Sequence, residues 1–124
     1  IYMISITKIF KFEAAHFLPN HEGKCKNTHG HSYKLEVTIK GIVLTSGPEQ
    51  GMVIDYGNLS AIIDEHVIQK LDHCLLNDVF HNPTAEYMVW SIAEWLEKPI
   101  NTSSRQVIKL RLWETDTCYA EWRK

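Results

Sequence analysis

The chain has 124 residues, a formal net charge of -2 and 44% hydrophobic residues. That length suits one domain, residues 1–124, with a modest core, and the near-neutral balance argues against a nucleic-acid or anionic-membrane partner. Cys25, Cys74 and Cys118 form no CxxC pair and are odd in number, so a reducing, cytoplasmic setting is expected rather than a disulfide framework. No apolar run approaches the roughly 18 residues of a membrane span, and no basic-then-apolar leader precedes the first strand. Whether Ile1 and Tyr2, ahead of Met3, are native is a question the sequence leaves open.

In the first predicted strand Ile4, Ile6, Phe10, Phe12, Ala14 and His16 share one parity, broken by Lys8. After a loop over residues 17 to 28, His31, Tyr33, Leu35, Val37 and Ile39 alternate with Ser32, Lys34, Glu36, Thr38 and Lys40. His29 and His31 therefore point to one face, roughly 6.5 to 7 Å apart along the strand. An antiparallel pairing sets the end of the first strand beside the start of the second, so His16, His29 and His31 converge. Three imidazoles without a fourth protein ligand match the open, catalytic form of a zinc site, although Cys25 in the loop could close it as a fourth ligand. His21, in the same loop, reads as solvated.

Thr45 to Gly51 is turn-rich and ends the second strand. Leu59, Ile62, Ile63, His66 and Val67 follow the spacing of an amphipathic helix capped by Asp55 or Asn58, with His66 as a helix-face residue. Between the helices lies Leu71-Asp72-His73, where a carboxylate beside an imidazole can fix its tautomer, a weak signal of an acid/base pair. Asn82-Pro83 predicts the next helix, with asparagine at the cap and proline first, carrying Met88, Val89, Ile92, Trp95 and Leu96 inward and stopping near Pro99. Two strands, 106–114 and 118–122, finish the chain. Ile108, Leu110, Leu112 and Glu114 share a parity, so Glu114 extends an apolar row where a carboxylate needs a partner or ligand. The expected α+β subunit is ββααββ, with an antiparallel four-stranded sheet whose edges call for oligomerisation.

Phe12-Glu13-Ala14-Ala15-His16, Cys25 followed after three residues by His29-Gly30-His31, Gly51-Met52-Val53-Ile54-Asp55-Tyr56, Leu71-Asp72-His73, Asn82-Pro83-Thr84-Ala85-Glu86 and Trp113-Glu114-Thr115 together resemble the 6-pyruvoyl-tetrahydropterin synthase family. The match spans nearly the whole chain with its motifs in order. Three residues between the cysteine and the His-Gly-His favour the family's carboxy branch, and the presence of Cys25 disfavours a folate-linked branch with glutamate there.

The resemblance implies the tunnelling fold (T-fold), in which subunits close a twelve-stranded barrel as a trimer and two trimers stack into a homohexamer with active sites at subunit interfaces. It implies His16, His29 and His31 as Zn2+ ligands, Cys25 as the proton-abstracting thiol, Asp72 and His73 as its relay, and Glu114 as the anchor of the pterin ring, with Thr84 and Glu86 near the pocket. The implied lyase reaction converts 7,8-dihydroneopterin triphosphate to 6-carboxytetrahydropterin with loss of triphosphate and acetaldehyde, in queuosine or other 7-deazapurine synthesis. A pyruvoyl product of biopterin synthesis is the enzymatic alternative. A small zinc-binding interaction domain, closed by Cys25, is the non-enzymatic one. Lys24 and Lys26 are candidates for gripping the triphosphate.

Overall fold

β1 (Met3–His16) and β2 (His29–Ile42) pair antiparallel in unbroken register, from Met3 opposite Ile42 to His16 opposite His29. The computed structural model describes residues 3–124, and the question about Ile1 and Tyr2 falls outside the described residues. The alternation read from the sequence dictates this register, because a one-residue slip would turn Phe12, Tyr33, Leu35, Val37 and Ile39 out of the core. All five are buried. Burying each such side chain contributes about 1.5 to 3 kcal/mol, so a slipped register is strongly disfavoured.

The sheet has five strands, ordered β3-β1-β2-β4-β5, rather than the expected four. β3 (Cys74–Leu75) is only two residues long and runs parallel to β1 at Ala14 and Ala15, which makes the sheet mixed. It is held there because the chain leaving the first helical region follows the outer edge of β1. Glu13 donates its N–H to Asp72 Oδ1 (2.9 Å) and accepts from the His73 N–H. Two residues carry no readable alternation, so this strand was invisible to pattern.

β4 (Arg105–Thr115) pairs with β2 on one side and with β5 (Cys118–Arg123) on the other. Its core row departs from the expected one. Thr38 faces Lys109 while Ile39 faces Val107, so Ile108 is the extra residue of a β-bulge. Val107, Leu110 and Leu112 are buried and Ile108 is only partly so.

The helices cover one face. α1 (Tyr56–Ile63) is capped by Asp55, whose carboxylate accepts from the Asn58 N–H at 3.0 Å, so Asp55 and not Asn58 is the cap. A π-helical turn, Asp64–Ile68, leads into a last α-turn, α2 (Gln69–Leu71). Leu59, Ile63, Val67 and Leu71 are fully buried along it, and His66 lies on the partly exposed side beside Glu65. α3 (Ala85–Ile100) is capped by Thr84, not Asn82, and Pro83 lies outside the helix. Thr84 has extended backbone and its Oγ1 accepts from the Tyr87 N–H at 3.2 Å, which displaces the expected start by two residues. The helix ends one residue past Pro99. Met88, Val89, Ile92 and Leu96 point inward as expected, Trp95 is partly buried, and Ala93 and Ile100 join them. No helix among the described residues is long and apolar enough to cross a membrane.

Candidate metal centre and its surroundings

The antiparallel register puts the end of β1 against the start of β2, and His16, His29 and His31 meet there. Their ring centroids lie 4.6 to 5.0 Å apart. His16 Nδ1 donates to the Pro83 carbonyl at 2.8 Å and His29 Nδ1 donates to the Asn27 carbonyl at 2.8 Å. A carbonyl can only accept, so each ring carries its proton on Nδ1 and leaves Nε2 as a lone pair. Those two Nε2 atoms face each other at 3.1 Å. His31 Nε2 is buried and has no hydrogen-bond partner.

Lone pairs turned on one another and an orphaned buried nitrogen are unfavourable unless a cation lies between them. One ligand atom from each ring falls within 4.8 Å of the others, and among the described residues this group comprises the three imidazoles only. Metal–nitrogen bonds of ~2.0–2.1 Å in a tetrahedron separate donors by about 3.3 Å, close to the His16–His29 spacing. Carbonyls bonded to the far ring nitrogens are the usual means of fixing such ligands. The residues fit a metal ion. His31 stays neutral more readily than an ordinary histidine, chiefly through burial, with His16 and His29 adding to the effect and Glu114 opposing it.

Glu114 Oε1 lies 3.5 Å from His16 Nε2 and 3.8 Å from His31 Nε2. The parity that marked it as an unusual carboxylate thus delivers it to the rim of the cluster. On its other side it borders a cavity of about 240 Å3 with Ala85, Glu86, Cys118 and Tyr119. Glu86 therefore joins Glu114 at one cavity, while Thr84 serves as the helix cap. Tyr33, two residues beyond His31 on the same face, is buried with its hydroxyl 3.4 Å from His16 Nδ1. Burial, and then Glu114, raise its pKa above the ordinary tyrosine range, so it stays un-ionised.

Cys25 occupies a short 3-10 turn, Lys24–Lys26, and its carbonyl accepts from the Leu18 N–H at 2.8 Å. Its thiol is not among the clustered ligand atoms, which corrects the possibility that it closes the site. Lys24 and Lys26 flank it, both exposed. Asp72 Oδ2 stands 3.0 Å from His73 Nδ1. The Glu13 N–H, and then His73, hold the Asp72 carboxyl below its usual range. His73 is 78% exposed and has a left-handed backbone, φ 59°. It lines a groove with Glu13, Gly30, His31, Ser32 and Cys74, a groove that Cys25 does not line. Within one chain, then, the Asp72–His73 pair is beside the histidines but not in one pocket with the thiol.

Pattern reading missed the Pro83 and Asn27 carbonyls, and Asn77, whose side-chain amide pairs with the backbone N–H and C=O of Phe17 just after His16. Backbone acceptors leave no mark in sequence. Tyr33 carried a signal, since it shares the parity of His29 and His31.

A family model described as 6-pyruvoyl tetrahydropterin synthase matches residues 5–124. The 6-carboxy-5,6,7,8-tetrahydropterin synthase of Haemophilus influenzae is 32% identical, with 98% of this chain and all of the relative covered. The protein of that name from Synechocystis sp. is 47% identical over 73% of this chain and 70% of its own length. Among solved structures, the 6-pyruvoyl tetrahydropterin synthase of Caenorhabditis elegans superposes with a TM-score of 0.85 at 24% identity, covering 100% of this chain and 97% of that one. The Plasmodium falciparum 6-pyruvoyl tetrahydropterin synthase gives 0.75 at 18% identity, with 98% of each covered. At those identities the structures establish a shared fold.

Proposed function

The chain belongs to the 6-pyruvoyl tetrahydropterin synthase family, and from that premise we propose that it is a zinc-dependent lyase of the 6-carboxy-5,6,7,8-tetrahydropterin synthase type. Its substrates in this reading are 7,8-dihydroneopterin triphosphate and one water, and its products are 6-carboxytetrahydropterin, triphosphate and acetaldehyde, on a route to queuosine. The observation that carries the reading is the three-imidazole centre, with Nε2 atoms facing inward and His31 Nε2 left unpaired. Two relatives bearing the carboxy name, at 32% and 47% identity, support this branch over the pyruvoyl one, as does the Cys25 spacing.

His16, His29 and His31 would hold the zinc, which when bound supplies Lewis-acid polarisation of the substrate's side-chain hydroxyls. Cys25 takes a proton from that side chain. His73 accepts and returns protons at Nε2, because Asp72 holds its Nδ1 at 3.0 Å. Within a single chain Cys25 does not line the groove that holds His73, so an assembly of copies, a homohexamer in this reading, brings one copy's dyad to another's thiol. Glu114 accepts from the ring N–H and exocyclic amine of the pterin, two adjacent donors suited to one carboxylate. Glu86 shares its cavity.

Incubating the zinc-loaded protein with 7,8-dihydroneopterin triphosphate and identifying the products tests this. Release of 6-carboxytetrahydropterin with an equivalent of acetaldehyde is expected. A 6-pyruvoyl product without acetaldehyde would move the chain to the sister activity, and no turnover of either kind would refute the enzymatic reading.

A further inference from the structure

At the far end of the sheet from the histidines, on the face without helices, lies an open cavity of about 580 Å3. Lys40, Lys109, Arg123 and Lys124 line it together with the hydroxyls of Ser5 and Thr7, and no carboxylate does. A chain of net charge -2 thus gathers the charged ends of Lys40, Lys109 and Arg123 on one face, while the Lys124 ammonium reaches Glu97 of α3. Two of them stand in a costly arrangement. Lys109 and Arg123 are direct cross-strand partners, and like charges opposite one another destabilise a sheet. The bulge at Ile108 makes this arrangement possible, since it keeps Val107 in the core while turning Lys109 to the polar face.

Compensation is incomplete. Glu121 is shared between Arg111 and Arg123, so one carboxylate serves two guanidinium groups. Lys124 pairs with Glu97 at 2.9 Å. No ion pair is found for Lys40 or Lys109 among the described residues. Ser5 registers with Lys40, and Thr7 registers with Thr38, whose other neighbour is Lys109, so hydroxyls alternate with ammonium groups across the strands. The Thr7 and Thr38 hydroxyls bond to each other at 2.7 Å, and a lining rich in cationic donors with no carboxylate suits a ligand that is all acceptor.

We propose that this cavity is a binding site for a polyphosphate group, held by Lys40, Lys109 and Arg123 and by the Ser5 and Thr7 hydroxyls. It is separate from the metal centre. Thr7 and His16 are nine steps apart along extended β1, about 30 Å, beyond the span of one triphosphate. The site does not rest on pterin chemistry and stands or falls without it.

Inorganic triphosphate titrated calorimetrically into the full chain is the probe. Wild type is expected to bind it with an affinity that falls as salt rises. Lys40→Gln/Lys109→Gln should weaken binding at least tenfold, while Lys11→Gln, on the same face but outside the cavity, should leave it unchanged. His29→Ala/His31→Ala should also bind normally. Thermal melts of each variant check folding, and Lys109→Gln, by relieving the repulsion, should melt no lower than wild type. Equal or tighter binding of ATP would assign the site to esterified polyphosphates, and preference for the inorganic anion to free ones; both uphold it. Undiminished binding by the double lysine variant, or loss of binding in the histidine variant, would overturn the proposal.

Discussion

Zinc should stabilise the metal-free protein through the histidine cluster, and by an amount that can be worked out beforehand. A ligand present at 100 times its Kd, and bound to the folded state alone, adds about 2.7 kcal/mol. Unfolding entropy of ~2.1 cal/mol/K per residue, over 124 residues, gives roughly 0.26 kcal/mol/K, so the melting temperature should rise by about 10 °C. The assay is a circular-dichroism melt with and without zinc, on wild type and on His29→Ala/His31→Ala. The double variant removes two of the three donors and should shift by less than about 2 °C. An equal shift in the variant would refute the placement of the ion.

Acidity provides the second axis of the same experiment. Burial lowers the folded-state pKa of His31, so the unfolded chain binds more protons between that pKa and the ordinary value near 6.5. Its contribution to the stability of the metal-free fold is therefore present above pH ~6.5 and lost as pH falls below it. Metal binding weakens in the same direction, because protons compete for the imidazoles.

Four substitutions probe the surroundings. Cys25→Ala should keep its metal content, by elemental analysis, and lose turnover, since the thiol is outside the donor cluster; loss of metal would return it to the ligand set. Glu114→Gln should weaken a non-reactive pterin roughly ten- to a hundredfold in a fluorescence titration, the worth of charged hydrogen bonds of about 1.5 to 3 kcal/mol; equal affinities would remove Glu114 from the pocket. Thr84→Ala should cost about 1 kcal/mol of stability through the lost cap, or roughly 4 °C in a melt, and should loosen zinc by freeing the neighbouring Pro83 carbonyl. In Gly41→Ala the added methyl would meet the Ser104 carbonyl oxygen at 2.5 Å, so urea unfolding should show a loss of about 1 to 3 kcal/mol.

What could be read from the sequence was what periodicity controls. Parity along β1 and β2 placed His16, His29 and His31 at one corner before any coordinates, and the same parity carried Glu114 to their rim. Bulges and caps defeated it. Ile108 was set in the core row because alternation assumes one residue per step, and the bulge inserts one more. Asn82 was taken for a cap because the Asn-Pro signal is local, whereas Thr84 wins by its bond to Tyr87 and leaves Pro83 free for His16. The relation of Asp72–His73 to Cys25 depends on how the intervening chain lies against β1, which no spacing rule encodes.

The π turn in the first helical region sets a rotational phase. Leu59, Ile63, Val67 and Leu71 recur every four residues, and on a regular helix that interval precesses by about 40° a step, or some 120° over the three steps. The wider turn at Asp64–Ile68 absorbs the surplus, and all four side chains reach the core. The wide turn takes up one extra residue and leaves the orientation of everything after it unchanged. Excising Glu65, which is 74% exposed, would restore an ordinary helix with these four residues spaced four, three and four apart, within about 60° of one another at roughly 100° per residue. Leu71 would keep its place in the core and Asp72 its bond to Glu13. A homologous lineage lacking that residue needs no second change before Asp72, so a single-residue deletion here is expected to stand alone.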